Sequence, residues 1–393
     1  MKQLNYWIAS KDHHVRKKNL SASMTFDPKW YLKYGTKQHF LLRILYCTGL
    51  LVDSDKSSRN RIIFTVLFSI HLLVVADYVM EVILLIRSSI SDLFFKITLI
   101  NSVSYILSIV AWCELRRKRR ILSLCLNMLR KTHVFSSRKV QIISFLFFFS
   151  LSISRLALDF KRSTDVLKYP IKMYGFEINT YVGITMIYIK TILLMFINPT
   201  WINFIILLYC LLCGHVSKLI RLSRIHIERS SPEEFTSSRQ AGIAKNEAKL
   251  SSLVQLLQNV FSVPSFLISV ALFCTCITAL GMLIVLFGEF QRFALQSLVA
   301  LMFVNSFGGL VICLWTAGGL PVEVEKLKET LRKKLQQKRL SENLIGDTCG
   351  DMKSLKVSSF VLSGCNIVYF QRNSILALAG TILTYTILLV SRQ

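Results

Sequence analysis

Five acidic or basic side chains lie inside long apolar runs of this 393-residue sequence, and they are its best pointers to function: Asp77, Glu81, Lys96, Arg155 and Lys190. A charge in hydrocarbon is costly, so such residues are usually paired or face a polar cavity. Asp77 and Glu81 are four residues apart and share one helix face. We predict that these acids pair with Lys96 across two neighbouring spans. Arg155 and Lys190 are predicted to extend towards the membrane interface.

Aromatic residues concentrate in the predicted outer halves of several apolar runs. Aromatic walls with a few polar groups are typical of a small-molecule pocket, whereas aromatic belts also form at membrane interfaces. Both interpretations stay open, because the sequence does not show whether these runs converge. The candidate pocket residues are Phe94, Phe95, Arg155, Tyr181, Tyr188 and Phe303.

Small and hydroxyl side chains form one stripe of the last apolar run at helical spacing. The stripe consists of Asn373, Ala377, Thr381, Thr384, Leu388 and Ser391. The opposite face carries larger apolar residues such as Ile382 and Leu389. Such a stripe lets helices approach closely, or it lines a water-filled path whose groups solvate an ion. From these residues alone we favour close packing.

Signatures of soluble enzymes, metal centres and nucleic-acid binding do not fit this sequence. It contains no phosphate-cradling glycine loop, no H-E-x-x-H and no G-x-S-x-G, so we predict no enzyme activity and no cofactor. Cys210 and Cys213 lack a second thiol pair, so we interpret them as packing residues and predict no metal site. The net charge of +26 lies in loops beside apolar runs, which favours an anionic lipid surface over nucleic acid.

Seven apolar runs of at least 19 residues position these side chains. A transmembrane helix needs about 20 apolar residues, and lipid admits such segments only as helices. We therefore predict an all-α polytopic membrane protein with seven transmembrane helices. The runs are Ile62–Ile86, Leu93–Cys113, Val140–Leu158, Tyr181–Cys213, Val260–Phe287, Ala294–Trp315 and Asn373–Ser391.

The distribution of basic residues predicts the orientation of the chain. Of its 48 Lys and Arg, 38 lie in the N-terminal segment and the second, fourth and sixth connections, against 7 in the other connections and the C-terminal tail. Cytoplasmic loops are the basic ones, so residues 1–61 are predicted to be a cytoplasmic segment. Seven crossings then place the C-terminus outside the cell.

Two long cytoplasmic pieces, residues 214–259 and 316–372, are predicted to form helical extensions. The fourth span is expected to continue beyond the bilayer. New helices are expected to begin near Pro232 and Pro321, each followed by acids. Val357–Phe370 is predicted to be a short helix before the last span. We favour an anchor bundle of these extensions over helices lying on the lipid surface.

The last run resembles the C-terminal pattern of insect gustatory receptors. Residues 380–390, Gly-Thr-Ile-Leu-Thr-Tyr-Thr-Ile-Leu-Leu-Val, include the Thr384-Tyr385 pair of that pattern, and the stretch before it, Phe370-Gln-Arg-Asn373, is similar to the family's lead-in. Length and predicted topology agree with the family as well. The sequence departs from the pattern at its end, where Ser391-Arg392 replaces the family's Gln-Phe. In the family, that Gln lies near the outer mouth of an ion pore.

The resemblance implies a ligand-gated, non-selective cation channel that detects small-molecule tastants, with bitter compounds as the default. It implies a homotetramer or heterotetramer with other gustatory receptor subunits, in the plasma membrane of gustatory or other sensory neurons. Residues 62–315 would hold the ligand-binding bundle and residues 373–393 the pore helix. Thr384, Leu388 and Ser391 would face the pore, with Leu388 as a constriction, and Tyr385 would pack against a neighbouring helix.

Two other classes of membrane protein predict features that differ from those of this sequence. A G-protein-coupled receptor would have an outside N-terminus and an Asn-Pro-x-x-Tyr sequence in its seventh span. The Asn-Pro pair here, Asn198-Pro199, lies in the fourth run and lacks that tyrosine. A transporter would show paired half-repeats with broken helices or a cluster of intramembrane His and acids, and the sequence shows neither.

Overall fold

A computed structural model of the chain is almost entirely helical. It describes residues 57–87, 92–130, 171–173, 176–195, 200–231, 236–286, 293–341, 362–365 and 368–391, with residues 45, 50, 153 and 154 as isolated positions. Six of the described helices are long and apolar enough to cross a membrane. The predicted third span, Val140–Leu158, lies outside the described residues except for Ile153 and Ser154, which are helical.

The first two described helices confirm the first two predicted spans. They are α1 (Ser57–Arg87) and α2 (Asp92–Arg117). The next helix, α3 (Arg119–Arg130), was not predicted from the sequence, and it buries an apolar stripe that includes Leu122 and Leu126 against the core. A two-stranded antiparallel hairpin follows later, formed by β1 (Ile171–Met173) and β2 (Phe176–Ile178).

The fourth predicted span is described as two helices. The outer one is α4 (Thr180–Met195) and the inner one is α5 (Ile202–Arg229), and Thr200 and Trp201 between them adopt a π-helical turn. Residues 196–199 are outside the description. Because α5 continues to Arg229, the predicted extension of this span beyond the bilayer is confirmed.

The fifth and sixth predicted spans belong to two much longer helices, α6 (Ser237–Leu286) and α7 (Phe293–Ser341), of 50 and 49 residues. At 1.5 Å per residue each is about 75 Å long, far more than a bilayer requires. The helix start predicted near Pro232 lies outside the described residues, and α6 begins at Ser237 after the non-helical Thr236. The start predicted at Pro321 is wrong, because α7 runs without interruption through that proline. Leu320 and Val324 are buried on either side of that proline, so packing keeps the helix continuous.

A second small hairpin precedes the last helix. Antiparallel strands β3 (Ser363–Gly364) and β4 (Val368–Tyr369) lead into α8 (Ser374–Ser391), which confirms the seventh predicted span. The predicted helix Val357–Phe370 is therefore wrong from residue 362 onwards. Its part before residue 362 lies outside the description. A local reason is Cys365, whose φ of 54° is incompatible with a right-handed helix.

The cytoplasmic extensions form a bundle, as predicted. The inner ends of α5, α6 and α7 bury their apolar faces in the same hydrophobic cluster as the membrane-spanning part of the core. This excludes three separate helices lying on lipid. The buried side chains that join them include Ile220, Ile227, Leu253, Leu257, Leu327 and Leu331.

Candidate pore helix and intramembrane charge cluster

Helix α8 has one face packed on its own subunit and one face exposed. Ile382 is 2% exposed and Thr386 is fully buried, while Ile375, Leu378 and Leu389 pack partly against the core. Every residue of the stripe predicted from the sequence is exposed on the subunit surface: Asn373, Ala377, Thr381, Thr384, Leu388 and Ser391. The small and hydroxyl side chains of the stripe are therefore available to water, lipid or another subunit.

Two stripe hydroxyls are oriented by their own helix. Thr381 Oγ1 donates to the carbonyl of Ala377 at 2.8 Å, and Thr384 Oγ1 donates to the carbonyl of Gly380 at 3.0 Å. A hydroxyl has one proton and two lone pairs. Because each proton is used within the helix, the oxygen lone pairs remain available on the exposed face. Such oxygens can solvate a cation or a chain of water molecules.

Tyr385 lies beside the stripe and contacts another helix. Its ring is 55% exposed and makes an edge-on contact with Phe273 of α6, with 6.2 Å between ring centroids. Such edge-to-face pairs are favourable beyond their area of contact. Gly281 of α6 meets α8 further out, where a methyl group on that glycine would lie 3.3 Å from Leu389. Apolar contacts with α6 thus hold the outer part of α8.

The intramembrane acids bind a cation that was not predicted as their partner. Lys190 of α4 lies 2.9 Å from Asp77 Oδ2 and also bonds to Glu81, so both acids of α1 meet the same ammonium group. This corrects the expectation that Lys190 extends alone to the interface. The predicted partner, Lys96, is half-buried on α2. The cluster of two carboxylates and Lys190 ties the outer half of α1 to α4.

The candidate pocket residues are spread over three helices. Phe95 of α2 and Tyr188 of α4 are half-buried, and Phe303 of α7 stacks on Phe307 with ring centroids 5.7 Å apart. Tyr181 is 80% exposed, so it forms no wall of an enclosed site within this subunit. The side chains of Phe94 and Arg155 lie outside the description.

Polar contacts that the sequence analysis missed connect helices within the core. Asn101 of α2 accepts a hydrogen bond from Thr278 of α6 at 3.0 Å. Ser104 of α2 donates to the carbonyl of Ala271 of α6 at 2.9 Å. Between α5 and α7, Asn203 donates to Asn305 at 3.0 Å. Isolated polar residues within apolar runs were the available signal, since such groups seek partners across helices.

A small cleft of about 50 Å³ lies between α5, α6 and α7 on the predicted cytoplasmic side. Its lining is mixed and consists of Ser223, His226, Ile227, Ile243, Asn246, Glu247, Leu250, Leu327 and Leu331. Burial raises the pKa of the Glu247 carboxyl above its ordinary value, and the charge of Lys328 opposes this shift. Glu247 is therefore held in a site that disfavours its ionised form.

The sequence has no match among models of protein families or among curated proteins. Its fold does have relatives among solved structures. The insect olfactory receptor OR5 from Machilis hrabei superposes with a TM-score of 0.66 at 13% identity, over 90% of this chain and 98% of that receptor. The same receptor in complex with eugenol superposes with a TM-score of 0.62 at 14% identity, over the same shares of both chains.

These likenesses define the class of protein by fold. The chain is a multi-pass helical membrane protein with the fold of an insect olfactory receptor. At 13–14% identity the likeness shows the fold alone. The function of this chain must be argued from its own residues.

Proposed function

We propose that this chain is a subunit of a ligand-gated, non-selective cation channel of the gustatory receptor type. The observation that carries the proposal is the exposed stripe on α8, from Asn373 to Ser391, opposite a face that packs on the subunit. Four copies of α8 around an axis would turn hydroxyl oxygens towards a shared water-filled path. The Thr384-Tyr385 pair of the gustatory receptor pattern lies on this helix.

The ligand is proposed to be a small-molecule tastant that binds in the outer half of the bundle, where Phe95, Tyr188 and Phe303 lie. The eugenol complex of the olfactory receptor supports a small organic ligand for this fold. Assembly would be a homotetramer or a heterotetramer with other gustatory receptor subunits, in the plasma membrane of sensory neurons. Ligand binding opens the pore if the ligand has higher affinity for the open arrangement of helices than for the closed one.

Cysteine accessibility tests the pore assignment. Thr384→Cys, Leu388→Cys and Ser391→Cys should react with a charged, water-borne methanethiosulfonate applied from outside to cells expressing the protein. The reaction should change the basal current, or the current evoked by eugenol as a first test ligand, because the modified side chains would narrow the ion path. Ile382→Cys and Leu389→Cys are the matched controls on the packed face and should remain unreactive.

Two results would overturn the proposal. Reaction at Ile382→Cys and Leu389→Cys in place of the stripe would show that the wrong face was assigned to the pore. Reaction at the stripe without any change in current would show a wetted surface that does not conduct ions. The unmodified protein serves as the background control for its native cysteines.

A further inference from the structure

The inner end of α8 is connected to α6 by an unusually complete set of hydrogen bonds. Gln258 of α6 donates through Nε2 to the carbonyl oxygen of Ser363 at 2.7 Å and to its hydroxyl at 2.9 Å. The same side chain accepts a hydrogen bond from the backbone N–H of Ser363 at 3.2 Å. One amide group thus pairs with both backbone groups of a hairpin residue, as a neighbouring strand would.

A second contact point lies one helical turn further along α6. The backbone N–H of Cys365 donates to Ser262, with 3.0 Å to its hydroxyl and 3.3 Å to its carbonyl oxygen. Cys365 has a φ of 54°, a left-handed conformation that is costly for a residue other than glycine. Gly364 packs so closely that a methyl group there would lie 2.9 Å from Phe266. The hairpin is therefore fitted to this stretch of α6.

The segment between the hairpin and α8 is also held by α7. A methyl group on Gly318 would lie 2.9 Å from the backbone nitrogen of Arg372, so only glycine permits this approach. The guanidinium of Arg372 lies over the ring of Trp315, 4.4 Å from its centroid. Phe370, at the end of the hairpin, is fully buried and packs against Tyr209 of α5. The inner end of α8 is thus fixed to three helices.

The outer part of α8 is held differently. From Ile375 to Leu389 it rests on apolar packing, and its threonine hydroxyls bond to their own helix. Apolar contacts permit sliding and tilting at lower cost than directional hydrogen bonds between buried groups. A displacement of α6 would therefore reach the outer part of α8 through direct apolar contacts and its inner end through the hydrogen-bonded hairpin.

We propose that Gln258 is a positioning residue that couples movements of α6 to the inner end of the pore helix. Helix α6 reaches from this hairpin to the outer half of the bundle, where Thr275 and Thr278 contact α2, the helix that carries Phe95. A ligand that displaces α2 would shift α6, and Gln258 would carry that shift to Ser363 and on to α8. The role of Gln258 in gating rests on the proposed channel function. The attachment of the hairpin to α6 by Gln258 does not depend on that function.

Disulfide cross-linking tests the attachment without any current. Ser262→Cys places a thiol beside the native Cys365, and copper phenanthroline with oxygen as the electron acceptor oxidises the two thiols to a disulfide. A protease site inserted after Met352 makes Cys365 the only cysteine of the C-terminal fragment. The two fragments should remain joined on a non-reducing gel, and Cys365→Ser, the matched control, should abolish the joined band.

Gln258→Leu should slow this cross-linking by about tenfold, since the three hydrogen bonds between Gln258 and Ser363 are lost. In cells, Gln258→Leu should reduce the evoked or basal current per surface copy by a similar factor. Oxidation of Gln258→Leu/Ser262→Cys should restore the current, and dithiothreitol should remove it again. Gln258→Glu, which keeps the acceptor for the Ser363 N–H, should fall between the native protein and Gln258→Leu.

Reversible rescue at the cell surface separates coupling from folding, because it acts on protein that has already folded. An unchanged cross-linking rate in Gln258→Leu would overturn the inference, whatever the currents show. If Gln258→Leu slows cross-linking but leaves the current per surface copy equal to that of the native protein, Gln258 does not couple α6 to the pore helix. A native protein without any current would count against the proposed channel, and the cross-linking rate would still decide whether Gln258 holds the hairpin.

Discussion

The two helices of the fourth span differ sharply in how they are packed. In α5, eight consecutive residues from Ile202 to Tyr209 are buried, so all sides of the helix contact protein. In α4, Val182, Met186, Ile189 and Ile192 are each about half exposed. A helix that is apolar all round is stable only if it is buried in protein or surrounded by lipid. The same kind of sequence thus lies in the protein core in α5 and on the subunit surface in α4.

This difference separates a packed core from a peripheral layer of helices. The core, built on α5 and the cytoplasmic extensions, forms the inner half and packs most of its described apolar side chains into one cluster within the chain. The outer half is lined by α1, α4 and α8, which leave apolar faces exposed along their length, including Leu73, Ile192 and Leu383. Under the proposed function, the inner half acts as a fixed base. The outer half is then the region where a ligand can rearrange helices at low cost.

The largest expected effect comes from truncating the same residue type in the two halves. Ile205→Ala in α5 should destabilise the protein by about 2–5 kcal/mol, because Ile205 is 1% exposed and its loss leaves a cavity. Ile192→Ala in α4 is the matched control, because Ile192 is 53% exposed. It should cost less than about 1 kcal/mol, the difference between isoleucine and alanine in their free energies of transfer into lipid. Unfolding of the purified protein in detergent measures both. Equal losses would contradict the contrast between the two halves.

A smaller effect is expected from the charge cluster that joins α1 to α4. Lys190→Met should destabilise this contact by about 1–2 kcal/mol, because Asp77 and Glu81 lose their common cation while remaining partly exposed. The triple variant Asp77→Asn/Glu81→Gln/Lys190→Met is the control and should recover most of the loss. Thermal unfolding measures both variants. If the triple variant is no more stable than Lys190→Met, the acids do not need this partner.

The spans and the stripe could be predicted from the sequence because both depend on local periodicity. An apolar run must form a helix in lipid, and a helix places residues such as Ala377, Thr381 and Thr384 on one side whatever surrounds it. The exposure of that side, opposite Ile382 and Thr386, could not be predicted in the same way, because the small residues favoured close packing and the structure leaves them exposed on the chain. The anchor bundle could be predicted because three extended helices end on the same side of the membrane, and the burial of Leu327 and Leu331 agrees with it.

The partners could not be predicted, because they depend on contacts distant in sequence. Lys190 is 109 residues from Glu81, and the apolar pattern does not state which spans are neighbours. The hairpin at Ser363 is held by Gln258, 105 residues away. Pro321 was misread because a proline followed by acids gives the same local signal at a helix start and inside a long packed helix. Contacts between residues distant in sequence determine the partner of Lys190, the position of the hairpin and the continuity of α7 at Pro321.

The smallest expected effect tests the electrostatics of the inner half. Burial raises the pKa of Glu247 in the folded protein, so the folded state binds a proton more tightly than the unfolded chain. Stability from this group is then fully present below the ordinary carboxyl pKa and is lost as pH rises through the raised value. Glu247→Gln mimics the protonated form and should therefore raise the melting temperature at pH 7 by less than about 2 °C.

The gain should depend on pH in a defined direction. Below pH 4 native protein and Glu247→Gln should melt together, because the native carboxyl is then protonated. The difference should grow as pH rises and reach a plateau above the raised pKa. Glu329→Gln is the matched control on α7, since Glu329 is exposed and bonds to Lys333, which lowers the pKa of its carboxyl. This substitution should therefore give no gain in melting temperature at pH 7. A gain at pH 7 that persists unchanged at low pH would contradict a half-buried, ionised Glu247 and would assign the effect to packing in the cleft.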